Sequence, residues 1–253
     1  MSRPHVTVRI EDDANGVAAH AADIFTQLAE EVAAQGRTFR VALSGGSTPK
    51  LLYQLLTSEE YRERVAWAGV EFFFGDERWV PHTDKDSNYK LANDYLFEPL
   101  GIDDGKVFPM PTEDVEPQEA AEQYEADIRR VFSLASREMP RFDLIFLGMG
   151  DDGHTASLFP HTTALRDYDK LVAANHVEKL DTWRITLTYP VLNAAENVLF
   201  MVAGESKAPA LKQVLEGEYD PEEYPSQLLR EASGHVTWLV DKAAAAQLES
   251  GAD

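Results

Sequence analysis

FRVALSGGSTPKLLYQLL, residues 39–56, is the stretch of sequence on which the predicted fold depends. Its first part is mostly apolar, as in a buried β-strand, and LLYQLL has the apolar spacing of a helix. The Gly-Gly pair between them indicates a turn, and Pro49 suits the first turn of a helix because its missing N–H is not needed there. The stretch therefore predicts a strand, a glycine turn and a helix in direct succession.

The same alternation of strand and helix patterns continues along the chain on both sides of this stretch. Strands are predicted at Val6–Ile10, Phe39–Ser44, Val70–Gly75, Phe142–Gly148, Leu171–Asn175, Arg184–Thr188, Asn197–Gly204 and His235–Val240. Helices are predicted from Val17 to Val32, over residues 51–56, and at Tyr89–Leu96, Ala121–Ala135, Lys207–Leu215 and Lys242–Leu248. Strands separated by helices indicate crossover connections. The sequence therefore predicts an α/β fold, a mainly parallel, Rossmann-like sheet with helices on both faces.

Two irregular stretches interrupt this pattern, residues 101–117 and residues 216–225. Apolar strands continue beyond each of them at similar spacing, which is typical of surface connections rather than of linkers between domains. We therefore expect a single domain over residues 1–253.

Composition excludes several classes of protein. The chain has 23 Lys plus Arg against 44 Asp plus Glu, a formal net charge of −21, so it lacks the clustered cations that a nucleic-acid-binding face needs. It has no apolar run of about 20 residues, and the start Met1–His5 is not that of a signal peptide. Cysteine is absent, which excludes disulfides and thiolate chemistry. We expect a soluble, cytoplasmic protein that binds neither nucleic acid nor membrane; a monomer is plausible.

In open parallel sheets, ligands bind beyond the carboxyl ends of the strands, and a glycine-rich loop follows the strand at residues 39–44. Gly45 and Gly46 let the backbone approach a ligand, Ser47 and Thr48 offer hydroxyls, and the following helix offers free N–H groups. This loop is a candidate phosphate cradle. The alternative, a plain glycine turn with a helix cap, is equally compatible with the spacing.

Three cations are candidates for binding an anionic substrate. Arg78 follows the strand at residues 70–75, where a guanidinium would present a fixed fork of donors. Lys207 opens a helix, where the helix dipole disfavours a cation unless an anion joins it, and Arg184 lies on a predicted strand. The alternative for Arg184 and Lys207 is solvated surface charge.

Residues 148–160, GMGDDGHTASLFP, follow the apolar strand at Phe142–Gly148. Their glycines match G-x-G-x-x-G, but Pro160 comes too soon for the helix of a dinucleotide site, and the next strand ends in Asn175 instead of an acidic residue. What remains is His154 with Asp152 two residues away, a pair suited to general-base activation of water. A surface histidine beside a helix cap is the alternative.

Other catalytic motifs are missing. The chain has no G-x-S-x-G, G-x-x-x-x-G-K-[ST] or H-E-x-x-H, and its seven histidines show no tight pairing. We therefore expect no metal site.

Five segments together make the chain resemble the 6-phosphogluconolactonase family of the glucosamine-6-phosphate isomerase/deaminase-like superfamily, over residues 41–240. They are VALSGGSTPKLLYQLL, FFFGDERWVP followed by SNYKLA, FDLIFLGMGDDGHTASLFP, RITLTYPVLNAAENVLFMVAGESKAPAL and HVTWLVD. DGHTASLFP is the most specific, whereas SGGST is shared with sugar-phosphate isomerases.

The resemblance implies a cofactor-free hydrolase that converts 6-phospho-D-glucono-1,5-lactone to 6-phospho-D-gluconate in the oxidative pentose phosphate pathway. It implies that His154 activates water with Asp152 as its supporting carboxylate. It also implies that Gly45, Gly46, Ser47 and Thr48 bind the phosphate with Arg184 and Lys207, while Arg78 contacts substrate at the opposite lip. The role of Asp76 is left open.

Two alternatives are weighed against this one. An amino-sugar phosphate deaminase-isomerase of the same superfamily carries a Glu a few residues after the histidine, where this chain has Ser157, Leu158 and Phe159. A silent sugar-phosphate sensor would usually carry a DNA-binding module, for which this chain has neither extra length nor a basic segment.

Overall fold

The computed structural model describes residues 5–249 of the chain. The expectation about the first residues, Met1–Pro4, lies outside this range. The strands are β1 His5–Glu11, β2 Phe39–Leu43, β3 Val70–Phe74, β4 Asp76–Arg78, β5 Leu144–Leu147, β6 Val172–Val177, β7 Thr182–Leu187, β8 Asn197–Val202 and β9 His235–Asp241. The α-helices are α1 Ala14–Ala34, α2 Ser47–Leu56, α3 Glu59–Arg62, α4 Asn88–Ala92, α5 Glu98–Leu100, α6 Pro117–Phe132, α7 Tyr189–Ala194 and α8 Ala208–Glu216, and a π-helical segment, Asn93–Phe97, joins α4 to α5.

A six-stranded parallel sheet forms the centre of the described part of the chain, in the order β1-β9-β8-β5-β2-β3. Every residue of β5 is buried, so this strand is covered on both faces, as its unbroken apolar sequence predicts. Helix α1 packs against β1, β2, β8 and β9. The predicted single-domain α/β fold with a mainly parallel sheet is confirmed.

The strand order places a crevice between β2 and β5. From β2 the chain moves outward to β3 at one edge of the sheet, whereas from β5 it moves in the other direction to β8 and β9. Loops that leave neighbouring parallel strands in opposite directions open a crevice at the carboxyl ends of those strands. The two loops that carry the predicted site residues, after β2 and after β5, therefore face each other.

A second sheet was not predicted. Residues 171–175 and 184–188 do form strands, but these are β6 and β7, which pair antiparallel in a three-stranded sheet of order β4-β7-β6. Residues 178–181 connect β6 to β7, far too few for the crossover of about a dozen residues that a parallel pair needs. Gly75 joins the two sheets, because its N–H donates to the carbonyl of Leu43 and its carbonyl accepts from the N–H of Leu187, at 2.9 and 2.8 Å.

One predicted helix was also wrong. Residues 242–248 hold a single 3₁₀ turn, Ala244–Gln247, and the Ala244 N–H at its start donates to Oδ1 of Asp241 at 2.7 Å. The turn packs against α8. An alanine run of this length is too short to nucleate a stable α-helix by itself.

Candidate active site

A cavity of about 690 Å³ opens at the carboxyl ends of β2 and β5. Its lining contains every residue that the sequence analysis proposed for the site. These residues are Gly45, Gly46, Ser47, Thr48, Asp76, Arg78, Asp152, His154, Arg184 and Lys207. The structure therefore brings together side chains that are separated by as many as 162 positions in sequence.

The loop after β2 is shaped for close approach of a ligand. Gly46 has φ +118°, a left-handed value that favours glycine. It directly precedes α2, and no side chain caps the N–H groups of the first turn of that helix. A Cβ on Gly45 would overlap Oδ1 of the buried Asn88. Tyr53 in α2 donates its hydroxyl to the carbonyl of Ser44 at 2.6 Å, which ties the loop to the helix. Residues 44–49 line the cavity, so the uncapped N–H groups of this helix start are available to an anion there.

The loop after β5 is a tight turn. Gly153 donates its N–H to the carbonyl of Gly150 at 3.0 Å, and Gly150 donates to the carbonyl of His154 at 2.9 Å. Gly153 has φ +75°, and a Cβ on Gly150 would overlap Nδ1 of His154. Within the described residues no α-helix follows this turn before α7, which agrees with the rejection of a dinucleotide site.

His154 is oriented by two neighbours. Its Nδ1 lies 2.6 Å from Oδ1 of Asp152, and its ring stacks on Phe159 with 4.0 Å between the ring centroids. Because an ionised carboxylate can only accept, Nδ1 carries the hydrogen and Nε2 of the neutral ring keeps its lone pair. Nε2 has no hydrogen-bond partner among residues 5–249, and the side chain borders the cavity. The geometry suits a general base.

Asp152 also contacts a cation that the sequence analysis missed. Burial by itself raises the pKa of Asp152, but hydrogen bonds from His154 and from Lys179 outweigh it and hold the pKa well below its usual range. Lys179 lies in the 3₁₀ turn Glu178–Leu180 between β6 and β7 and contacts Oδ2 of Asp152. A lysine in a charged turn has no local pattern that distinguishes it from surface charge, so only the fold reveals it.

Asp76 lies deeper in the cavity, and its side chain is buried. Its Oδ2 accepts from the hydroxyl of Ser157 at 2.6 Å, and its main-chain carbonyl accepts from Nδ2 of Asn88 at 2.8 Å. The carboxylate therefore links β4 to the loop that carries His154.

Arg78 and Arg184 lie side by side, not at opposite lips. They are directly opposed in the antiparallel pairing of β4 with β7. Neither forms an ion pair among the described residues; Arg78 donates to the carbonyl of Asp86 and Arg184 to that of Trp183, at 2.7 and 3.0 Å. Burial, and next the charge of Arg78, lowers the pKa of Arg184. Two adjacent cations without an anionic partner are suited to bind a multiply charged anion.

Lys207 has a protein anion beside it. Its Nζ lies 2.5 Å from Oδ1 of Asp151, and the hydrogen bond from Lys207 lowers the pKa of that carboxyl group. Lys207 ends the 3₁₀ turn Glu205–Lys207, directly before α8. A cation at the start of a helix predicts an anion nearby, and Asp151 is such an anion.

The described residues contain no cluster of His, Asp and Glu that could hold a metal ion. Among the helices of residues 5–249, none is long and apolar enough to cross a membrane.

The fold and the cavity together define an α/β protein with two adjacent arginines and a histidine–aspartate pair around a cavity at a switch in strand order. A model of the family of glucosamine-6-phosphate isomerases and 6-phosphogluconolactonases matches residues 12–238. The chain belongs to that family and is an enzyme.

Individual relatives agree with this assignment. A 6-phosphogluconolactonase of Nostoc sp. is 41% identical over 243 residues, which cover 96% of this chain and 98% of the relative. One from Synechocystis sp. is 38% identical over 225 residues, 89% of this chain and 90% of the relative. The solved structure of 6-phosphogluconolactonase from Trypanosoma brucei superposes with a TM-score of 0.86 at 30% identity, over 98% of this chain and all of that one.

Proposed function

We propose that this chain hydrolyses 6-phospho-D-glucono-1,5-lactone to 6-phospho-D-gluconate, with water activated by His154, and that residues 1–253 act as one sugar-phosphate hydrolase domain. The observation that carries the proposal is the direction of His154. Its Nδ1 is held by Asp152, while Nε2 is free of protein partners in the described chain and borders a cavity that also holds two unpaired arginines. The names of the relatives supply the substrate class.

The phosphate of the substrate would be bound by Arg78 and Arg184 together with the start of α2. The two guanidiniums supply charge and forked donors, and the uncapped N–H groups after Gly46 supply directed backbone donors. The net charge of −21 does not prevent binding of the dianion. Salt screens the repulsion from carboxylates that lie more than about 8 Å away at physiological ionic strength, so the positive charges of the cavity dominate at close range.

Hydrolysis then needs one proton to be moved twice. Nε2 of His154 takes a proton from water while the water oxygen bonds to the lactone carbonyl carbon, which becomes tetrahedral and carries the negative charge on its oxygen. As the intermediate collapses, the bond from this carbon to the ring oxygen breaks and the imidazolium returns the proton to that oxygen. The product is an open-chain carboxylic acid, which ionises and releases acid. Holding the phosphate at a fixed point keeps the carbonyl near His154, and this positioning supplies part of the rate.

The deaminase-isomerase alternative finds no support in this loop. Residues 157–159 supply no carboxylate, and Ser157 and Leu158 are buried. Ser157 instead donates its hydroxyl to Asp76. Proton transfer along a sugar chain would therefore lack one of its acid–base groups.

The deciding experiment compares substrates with the same purified protein. Freshly prepared 6-phosphogluconolactone should release acid far faster than its spontaneous hydrolysis, measured in a pH-stat, whereas glucosamine 6-phosphate should release no ammonia. Gluconolactone without the phosphate is the matched control and should react with a much lower kcat/KM. Ammonia release would favour the deaminase, and binding of the lactone without turnover would favour a sensor.

A further inference from the structure

Lys179 approaches the catalytic cavity from the antiparallel sheet. It lies in the turn Glu178–Leu180, which joins β6 to β7, and its side chain borders the cavity. The neighbouring Leu180 also borders the cavity and is 47% exposed. The turn therefore carries an ammonium group and an apolar side chain to the rim of the cavity.

Two contacts fix where the Lys179 ammonium group lies. It contacts Oδ2 of Asp152, while Oδ1 of the same carboxylate lies 2.6 Å from Nδ1 of His154. Its Nζ is also 5.0 Å from the ring centroid of Phe159, the ring on which His154 stacks. One carboxylate and one aromatic ring are thus shared between a lysine and the histidine.

We propose that Lys179 is a positioning residue for the hydrolysis proposed above, acting on His154 through the carboxylate that the two side chains share. Lys179 holds Oδ2 of Asp152, which leaves Oδ1 to fix the imidazole in one orientation and one tautomer. The positive charge of Lys179 also offsets part of the negative charge that faces the ring. The inference rests on the proposed function, because His154 is a base only in that reaction.

The charge of Lys179 matters because a carboxylate next to an imidazole favours the imidazolium. A protonated His154 cannot take a proton from water, so an unopposed Asp152 would inactivate the base over a wider range of acidic pH. A cation on the far oxygen weakens this effect.

The other charged groups that line the cavity do not replace Lys179. Asp151 and Lys207 pair with each other, and Asp76, Arg78 and Arg184 lie on the side of β4 and β7. A change at position 179 leaves all five in place. Any shift in the titration of His154 can then be assigned to the shared carboxylate.

Two other roles of Lys179 predict different experimental results. If Lys179 released Asp152 to bind the substrate phosphate, its loss would raise KM for the lactone and leave the pH dependence unchanged. If the contact only held the β6–β7 turn in place, its loss would lower stability and leave both unchanged.

The test compares Lys179→Met with Lys179→Arg and with the control Lys212→Met. Lys212 pairs with Glu249 as Lys179 pairs with Asp152, but outside the cavity lining. The pH dependence of kcat/KM for 6-phosphogluconolactone is measured for each variant, and the ring protons of His154 are titrated by NMR without substrate. The Lys179 side chain is 52% exposed, so we expect the variants to fold.

We expect Lys179→Met to move the acidic limb of the kcat/KM profile upward by about 0.5 to 1 pH unit, which lowers kcat/KM about 3- to 10-fold on that limb. The rate should recover at higher pH, Lys179→Arg should restore most of the profile, and Lys212→Met should change nothing. The NMR titration should move by the same amount.

An unmoved NMR titration, or a change in KM alone, would overturn the proposal. Because the NMR measurement needs no turnover, it tests the role of Lys179 even if the lactone proves not to be the substrate.

Discussion

The two sheets contribute different parts of the cavity. The parallel sheet supplies two loops, one with the backbone donors of residues 45–48 and one with His154 and Asp152. The antiparallel sheet supplies strand side chains, above all Arg78 and Arg184. The proposed base therefore lies on a loop that glycines and backbone hydrogen bonds fix, while the two arginines lie on strands whose pairing sets their positions. We infer that the first sheet provides the proposed base, whereas phosphate binding is shared between the glycine loop of that sheet and the arginines of the second.

A buried acid in the antiparallel sheet holds the start of α4, which packs against the glycine loop. Glu77 in β4 is fully buried, and burial raises the pKa of its carboxyl group. The carboxyl oxygens accept from the N–H groups of Asn88 and Tyr89, at 2.7 and 2.8 Å. Asn88 in turn packs against Gly45, in the loop that follows β2. Contacts through α4 therefore connect the arginine strand β4 to the glycine loop.

The largest effect should come from the loop of the parallel sheet. His154→Gln keeps a hydrogen-bond donor near Asp152 but removes the base, so kcat for 6-phosphogluconolactone should fall about 10²- to 10⁴-fold. Binding of 6-phosphogluconate, measured by calorimetry, should change little because the arginines remain. His161→Gln, at an exposed histidine paired with Glu223, is the matched control. A normal kcat in His154→Gln would exclude this ring as the base.

Much of the fold could be predicted because burial leaves a pattern in the sequence. The unbroken apolar run of β5, Leu144–Leu147, is confirmed as a strand covered on both faces. The strands at β6 and β7 were also located, but not their partners. Strand direction depends on the connection and on the whole sheet, and the alternation within a single strand does not record it.

The site could be predicted where it follows a strand and not where it depends on packing across the fold. His154 and the glycines of residues 45–46 come directly after strands, so the rule of carboxyl-end binding singles them out. Lys179 contacts a residue 27 positions away, and the contact exists only because the β6–β7 turn packs over the β5 loop. The pairing of Arg78 with Arg184 likewise required the antiparallel register.

The second prediction tests whether the antiparallel sheet acts in binding. Arg184→Ala removes a half-buried cation without an ion-pair partner among the described residues, and KM should rise roughly 10- to 100-fold, as for loss of a hydrogen bond to a charged group. Steady-state kinetics should show kcat within a few-fold of the parent value. Arg37→Ala, which removes an exposed arginine paired with Asp143, is the control for loss of charge. If kcat fell and KM stayed normal, Arg184 would act at the reacting carbonyl and the division between the two sheets would be wrong.

The smallest effect is expected at Lys207, because Asp151 already offsets its charge. Ion pairs at the protein surface contribute about 0 to 1 kcal/mol, and the Asp151 side of this pair is exposed, so Lys207→Ala should raise KM no more than about fivefold. Most of that increase should come from the carboxylate left beside the incoming phosphate. Kinetics of the double variant Asp151→Asn with Lys207→Ala should therefore return KM close to the parent value, since the local charge is again balanced. A larger rise in KM that persists in the double variant would instead mean that Lys207 leaves Asp151 to bind the phosphate directly, and would add a cation of the parallel sheet to the binding site.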